Sequence, residues 1–273
     1  MTINTTSALS GNYLERVEYP AKEFFAASDW QSRPLVIGGA MDGWPAFSRW
    51  DADYFAGEYG NMRVQVRRSG NPSDMQRMSL REYIGYFKVT DDRDPYYFSD
   101  WEFSAQCPEL NDAFATPKIF VNWLDRYPDY LSSFRWIFIG PAGSYSSLHV
   151  DTMMTAGWNG LLRGEKIWHF YPPDAGRNVY GGAVNSFKPD PAAFPLAGGL
   201  TPLLAVQKRG DIVYTPSGWW HQVYNAGPSI ALAENFINSG NVATVKNFLA
   251  LNEQHQELRL LEELESIYSA VKQ

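Results

Sequence analysis

Apolar positions along this chain fall into short runs separated by turn residues rather than into long helical stripes. Arg33-Pro34-Leu35-Val36-Ile37-Gly38-Gly39 is an apolar run closed by two glycines, and Asp42-Gly43-Trp44-Pro45 after it has turn chemistry, which predicts a buried strand and then a loop. A short helix is predicted from Asp51 to Tyr59. Ser79-Leu80-Arg81-Glu82 has capping-box spacing ahead of Tyr83, Ile84, Tyr86 and Phe87, and predicts a second helix over 80–88. Strand-like runs then dominate, at Tyr96–Phe98, Phe134–Ile139, Leu148–Asp151, Gly157–Leu162, Lys166–Tyr171, Asp211–Thr215 and Ile230–Phe236. Arg163-Gly164-Glu165 reads as a hairpin turn between two of them. Pro172 to Gly210 is rich in glycine and proline, predicts no regular element, and reads as a long excursion, either a binding loop or lid or a tolerated surface insertion. Past Gly240 the pattern turns helical, over Val242–Leu251 and Glu253–Val271, with Leu260, Leu264, Ile267 and Val271 as a stripe that packs on the sheet or on a second subunit. The expected class is therefore mostly β, a double-stranded β-helix (jelly-roll) core with N-terminal α/β elements and C-terminal helices. Residues 1–12 form a flexible polar arm in this reading, 13–240 the main domain and 241–273 a helical segment that could serve dimerisation.

Composition sharpens this picture. The 273 residues are 45% hydrophobic and 15% aromatic, enough for a large core and a lined pocket without staples. A net charge of -7 is opposite in sign to that of a protein tracking a nucleic-acid backbone, so DNA and RNA are not expected as partners. No apolar run approaches the roughly 20 residues that span a bilayer, and no membrane partner is expected. Cys107 is the single cysteine, and the N-terminus has neither a basic n-region nor an apolar h-region, which leads to the expectation of a cytoplasmic protein.

Four histidines, at 149, 169, 221 and 255, limit any imidazole-based site. In His149-Val150-Asp151, residues two apart on a strand share a face, so imidazole and carboxylate can converge on one ion. His221 follows a strand, a turn and two tryptophans (Gly210 to Trp220) and completes two histidines and one carboxylate, the facial set that leaves coordination positions open in non-haem Fe(II) oxygenases. Lys166 stands in an apolar and aromatic strand, where its ammonium is costly unless it meets an anion, and is a candidate carboxylate clamp. His169 points to the other face of that strand and reads as packed or surface-exposed, and His255 as solvated.

His149-Val150-Asp151, Trp158-Asn159, Gly164-Glu165-Lys166, Phe170-Tyr171-Pro172-Pro173, Gly210-Asp211, Trp219-Trp220-His221 and Asn235-Phe236, in this order, resemble the Jumonji-C (cupin-like) Fe(II)- and 2-oxoglutarate-dependent oxygenases, most of all their asparaginyl/lysyl protein hydroxylase branch. The resemblance implies that His149, Asp151 and His221 ligate Fe(II) and that Lys166 pairs with the distal carboxylate of 2-oxoglutarate. It also implies that Ser146 and Tyr97 help hold that carboxylate, and that Asn159 and Asn235 line the cofactor side of the pocket. The chain departs from the lysyl-hydroxylase side of the branch at Ala233, where that relative carries a threonine near the cofactor. The implied activity is hydroxylation of a C–H bond using O2, with succinate and CO2 as co-products. The expected substrate is an amino-acid side chain of a protein or peptide, and the implied arrangement includes a homodimer through the C-terminal helices. The alternatives are hydroxylation of a small metabolite or natural-product intermediate, and a non-catalytic cupin-like binding module.

Overall fold

Residues 12–270 are described by the computed structural model. The expected arm lies outside the described residues except for Asn12, whose carbonyl accepts a hydrogen bond from the Leu204 amide at 2.6 Å; Val271 of the expected stripe lies outside them too.

The strands, in chain order, are β1 (Arg16–Glu18), β2 (Leu35–Gly38), β3 (Arg63–Arg68), β4 (Met75–Ser79), β5 (Tyr96–Trp101), β6 (Arg135–Gly140), β7 (Ala156–Arg163), β8 (Glu165–Tyr171), β9 (Leu203–Lys208), β10 (Ile212–Thr215), β11 (Trp220–Asn225) and β12 (Ser229–Phe236). They make a nine-stranded sheet in the order β1-β2-β10-β7-β12-β6-β5-β3-β4, faced by a three-stranded sheet, β11-β8-β9. All pairs are antiparallel except β1 with β2. Two facing sheets with apolar inner sides are the jelly-roll architecture expected from the run pattern. Helices α1 (Lys22–Ala26), α2 (Pro45–Arg49), α3 (Ala52–Glu58), α4 (Leu80–Val89), α5 (Phe103–Gln106) and α6 (Pro128–Leu131) surround the large sheet, and α7 (Val242–Leu251) and α8 (His255–Ala270) follow it.

Local chemistry accounts for the predicted helices. The Asp51 carboxylate accepts from the Tyr54 amide at 2.8 Å and caps α3, and Ser79 and Glu82 form the reciprocal capping box of α4. From α4, the fully buried Tyr83 donates its hydroxyl to the Ile139 carbonyl at 2.6 Å and accepts from the Phe98 amide at 3.1 Å, which fixes the helix against β5 and β6.

Three local expectations are corrected. Leu148–Asp151 is not a regular strand: Tyr145 and His149 make isolated bridges to Tyr224 and His221 of β11, and the chain then turns away before Asp151 can pair. Gly164 does not close a hairpin, because β7 and β8 lie in different sheets; it is a crossover with φ +89°, and a Cβ there would lie 2.3 Å from the Pro228 carbonyl oxygen. The Pro172–Gly210 excursion is not wholly irregular: β9 lies near its end, with alternate residues Ala205 and Gln207 buried, a signal diluted by the glycines and prolines before it.

The helical stripe holds at Leu264 and differs one turn earlier. Leu261 and Leu264 are the buried residues of α8, in a cluster with Trp123, Leu124, Phe134, Ile237, Val245 and Leu249, while Leu260 and Ile267 are only half-buried. The stripe therefore packs back on its own chain. Leu264→Ala is expected to lower the unfolding free energy by about 2–4 kcal/mol and Ile267→Ala by less than about 1 kcal/mol. Equal losses in urea denaturation would contradict this packing.

Candidate metal and cofactor site

The site forms where the irregular segment before His149 runs along β11. His149 and His221 exchange backbone hydrogen bonds of 3.0 and 2.8 Å, which sets their rings 4.2 Å apart. Each imidazole is oriented through its Nδ1, His149 by donation to the Ser147 carbonyl at 2.7 Å and His221 to the Trp219 carbonyl at 3.2 Å, and this tautomer leaves both Nε2 atoms as acceptors for a metal. Asp151 Oδ1 lies 3.7 Å from His221 Nε2, and one donor atom from each of the three residues lies within 4.8 Å of the others.

Asp151 enters this group through an unusual turn. Met153 and Met154 have φ of +56° and +59°, the left-handed region that costs a non-glycine residue about 1 kcal/mol or more. The turn brings Gly157 against the carboxylate: a Cβ at Gly157 would lie 2.9 Å from Asp151 Oδ2 and 2.7 Å from Asn235 Oδ1, so any larger residue would displace these two side chains. Burial raises the Asp151 carboxyl to about 6, opposed by His149 and by a hydrogen bond from Asn235, and burial pushes the His221 imidazole well below its ordinary value. At neutral pH these two groups are a carboxylate and a neutral imidazole, the protonation states that bind a divalent metal.

A cavity of about 290 Å³ opens from the three ligands between the two sheets. In its wall lies Lys166, 1% exposed, whose Nζ donates to Asn225 Oδ1 at 2.7 Å and to the Tyr97 hydroxyl at 3.4 Å. Both partners are neutral, and among the described residues no carboxylate stands within ion-pair distance of Nζ. Desolvation pushes the ammonium down to about 7. An open face of two imidazoles and one carboxylate, with an unneutralised cation in the same cavity, fits a metal together with a small carboxylate ligand.

The other sequence-predicted residues also line this cavity: Ser146, Tyr97, Asn159 and Asn235, with the apolar Ala233 among them. The Ser146 oxygen accepts from the Val223 amide at 3.1 Å and keeps its own proton free to donate. Asn159 is held by Gln207, whose amide donates to the Asn159 carbonyl at 2.8 Å. Asn235 donates to Thr155 Oγ1 at 2.9 Å, and burial pushes the Tyr97 phenol up. Trp136, Phe138 and Trp168 supply the aromatic part of the wall. The two histidines set aside stay out of the site: His169 is half-buried, hydrogen-bonded to Ser186 and stacked on Phe187, and His255 is exposed.

Sequence reasoning missed Asn225, Gln207, Gly157 and Thr155. Asn225 and Gln207 face Lys166 across β8 in register, on β11 and β9, so strand pairing would have exposed them once β9 was recognised. Gly157 and Thr155 carry no signal without the turn geometry.

The chain matches the cupin-like domain family over residues 21–241. It is 32% identical over 256 residues to lysine-specific demethylase JMJ21 of Arabidopsis thaliana, covering 86% of this chain and 26% of that protein. It is 29% identical to 2-oxoglutarate and iron-dependent oxygenase JMJD4 of Gallus gallus (87% and 63% covered) and 28% identical to bifunctional arginine demethylase and lysyl-hydroxylase psr-1 of Caenorhabditis elegans (88% and 65%). The chain thus spans from about a quarter to just under two thirds of the length of these relatives. Sheet architecture, the His149, Asp151 and His221 group and these matches agree, and the chain belongs to the cupin-like family of Jumonji-C type.

Proposed function

We propose that the chain acts as an Fe(II)- and 2-oxoglutarate-dependent oxygenase that hydroxylates a C–H bond on an amino-acid side chain of a protein or peptide, with succinate and CO2 as co-products. The observation that carries this reading is the buried Lys166 ammonium without an anionic partner, in the same cavity as the three metal ligands. Iron bound there would supply the oxidising chemistry, with O2 and 2-oxoglutarate as co-substrates. The chain's own groups bind and orient. Lys166 neutralises the distal carboxylate, Ser146 and Tyr97 donate hydroxyl protons to it, and Asn159 and Asn235 border the metal-facing side. Trp136, Phe138 and Trp168 keep water from the reacting centre.

A protein or peptide substrate is supported by the names of the relatives, which describe lysine- and arginine-directed demethylases and a lysyl-hydroxylase. The buried free thiol of Cys107 suits a reducing compartment, and we place the protein in the cytoplasm. Among the described residues no helix is long and apolar enough to cross a membrane. A homodimer through the C-terminal helices would use the exposed Leu251 and the half-buried Ile267, since Leu264 is taken up within the chain.

Anaerobic titration of 2-oxoglutarate into the Fe(II)-loaded protein is expected to give a saturable metal-to-ligand charge-transfer band that is lost in His221→Ala; folded, iron-loaded protein without a band would refute the reading. Lys166→Met is expected to weaken 2-oxoglutarate binding about 30-fold or more, because the ligand's carboxylate is then buried unpaired. Since burial holds the Lys166 ammonium near 7 and a neighbouring carboxylate raises it again, binding takes up a proton at pH above 7. The Kd should therefore rise with pH, by up to about tenfold per unit. Calorimetry in buffers of different ionisation enthalpy reads this uptake, which should vanish in Lys166→Met. For the dimer, light scattering at micromolar concentration should give twice the chain mass, and a monomer mass would exclude it.

A further inference from the structure

We propose that Met153 is a positioning residue for the metal carboxylate: docked in the apolar cluster at α7 and α8, it holds the left-handed Met153–Met154 turn that presents Asp151 to His149 and His221. This inference rests on the metal reading of those three residues.

Two successive non-glycine residues with positive φ do not persist unless surrounding contacts hold them. The contacts come from two sides. Met153 packs against the C-terminal cluster, beside Leu124, Ile237, Leu249, Leu261 and Leu264. From the other side, Ser217 donates its hydroxyl to the Met154 carbonyl at 2.5 Å. Within the turn, the Met154 amide donates to the Asp151 carbonyl at 3.0 Å, and Thr155 Oγ1 donates to the Thr152 carbonyl at 2.7 Å. The same Thr155 oxygen accepts from Asn235, whose side chain favours the charged form of Asp151. Asp151 itself has no strand pairing to fix its backbone, unlike His149 and His221, so its placement depends on this turn. The C-terminal helices, which contribute no ligand, therefore support the carboxylate through one methionine side chain.

The test is titration of Co(II), read by its visible absorption, into the metal-free full chain and its variants, with thermal melting of each metal-free protein. Met153→Ala removes the anchor but keeps a residue that resists positive φ, and is expected to weaken Co(II) binding about tenfold. Met153→Gly removes the anchor and the backbone cost together, and is expected to bind about fivefold more tightly than Met153→Ala. If Met153 only fills space, both variants melt earlier while Co(II) affinity stays at the wild-type level. Ser217→Ala, which leaves the apolar cluster intact, is expected to weaken binding about fivefold and keeps the test open should Met153→Ala fail to fold. Co(II) affinity at the wild-type level in both Met153→Ala and Ser217→Ala, or Met153→Gly binding more weakly than Met153→Ala, would overturn the inference alone. A wild-type chain that binds no Co(II), or binds it equally well as His149→Ala, would overturn the metal reading and this inference with it.

Discussion

Two backbone hydrogen bonds, exchanged between His149 and His221, join an irregular segment to the small sheet and fix the separation of two imidazoles. Everything chemical in the protein is arranged around that junction. The large sheet supplies Asn159 and Asn235 from β7 and β12, the small sheet supplies Lys166 and His221 from β8 and β11, and the cavity is the space the two sheets leave between them. A shift of one residue in the pairing of β8 with β11 would turn Lys166 outwards and remove its buried cation from the cavity wall.

Burial does two different things to the charged groups here. It makes the Lys166 ammonium easy to discharge and the Asp151 carboxyl easy to protonate, so both are unstable as isolated ions and both are satisfied by a ligand of opposite charge. By contrast the Glu234 carboxylate, fully buried and next to Asn235 in sequence, is met within the chain by Arg135 at 2.6 Å, by Asn122 and by Thr116. One side of β12 thus carries a finished structural ion pair, while the other borders a cavity whose charges are unmatched. This contrast separates a group kept for stability from groups kept for binding more sharply than burial does.

Much of the site was legible in the sequence because its residues stand in short strands, where period two tells which side chains share a face. Lys166, Trp168 and Phe170 point inwards and His169 outwards as that period requires. The convergence of His149 and Asp151 follows from the sequence only by way of a strand that is not there: the two meet through a turn, not through pleating. The edge strand β4, with Met75, Gln76 and Arg77 exposed, has no apolar face to announce it, and β3 announces itself only through Val64 and Val66 between polar neighbours. Gly164 was misread because a glycine between two strands looks the same whether the chain folds back within one sheet or steps into the other. In the C-terminal stripe Leu264 is buried as expected, while Leu261 is buried more deeply than Leu260: both fit an amphipathic period, and only packing chooses between them.

The three candidate ligands come from two segments far apart in the sequence, joined where the segment before His149 bridges β11. An unfolded chain therefore has no such assembled site, and an ion that binds these three residues together favours the folded state. Occupancy then acts on the folding equilibrium by mass action, adding about 2.7 kcal/mol when free metal stands at a hundred times its dissociation constant. For a chain of this size that is a substantial share of total stability. The supply of metal would set how long the protein lasts as well as whether it works.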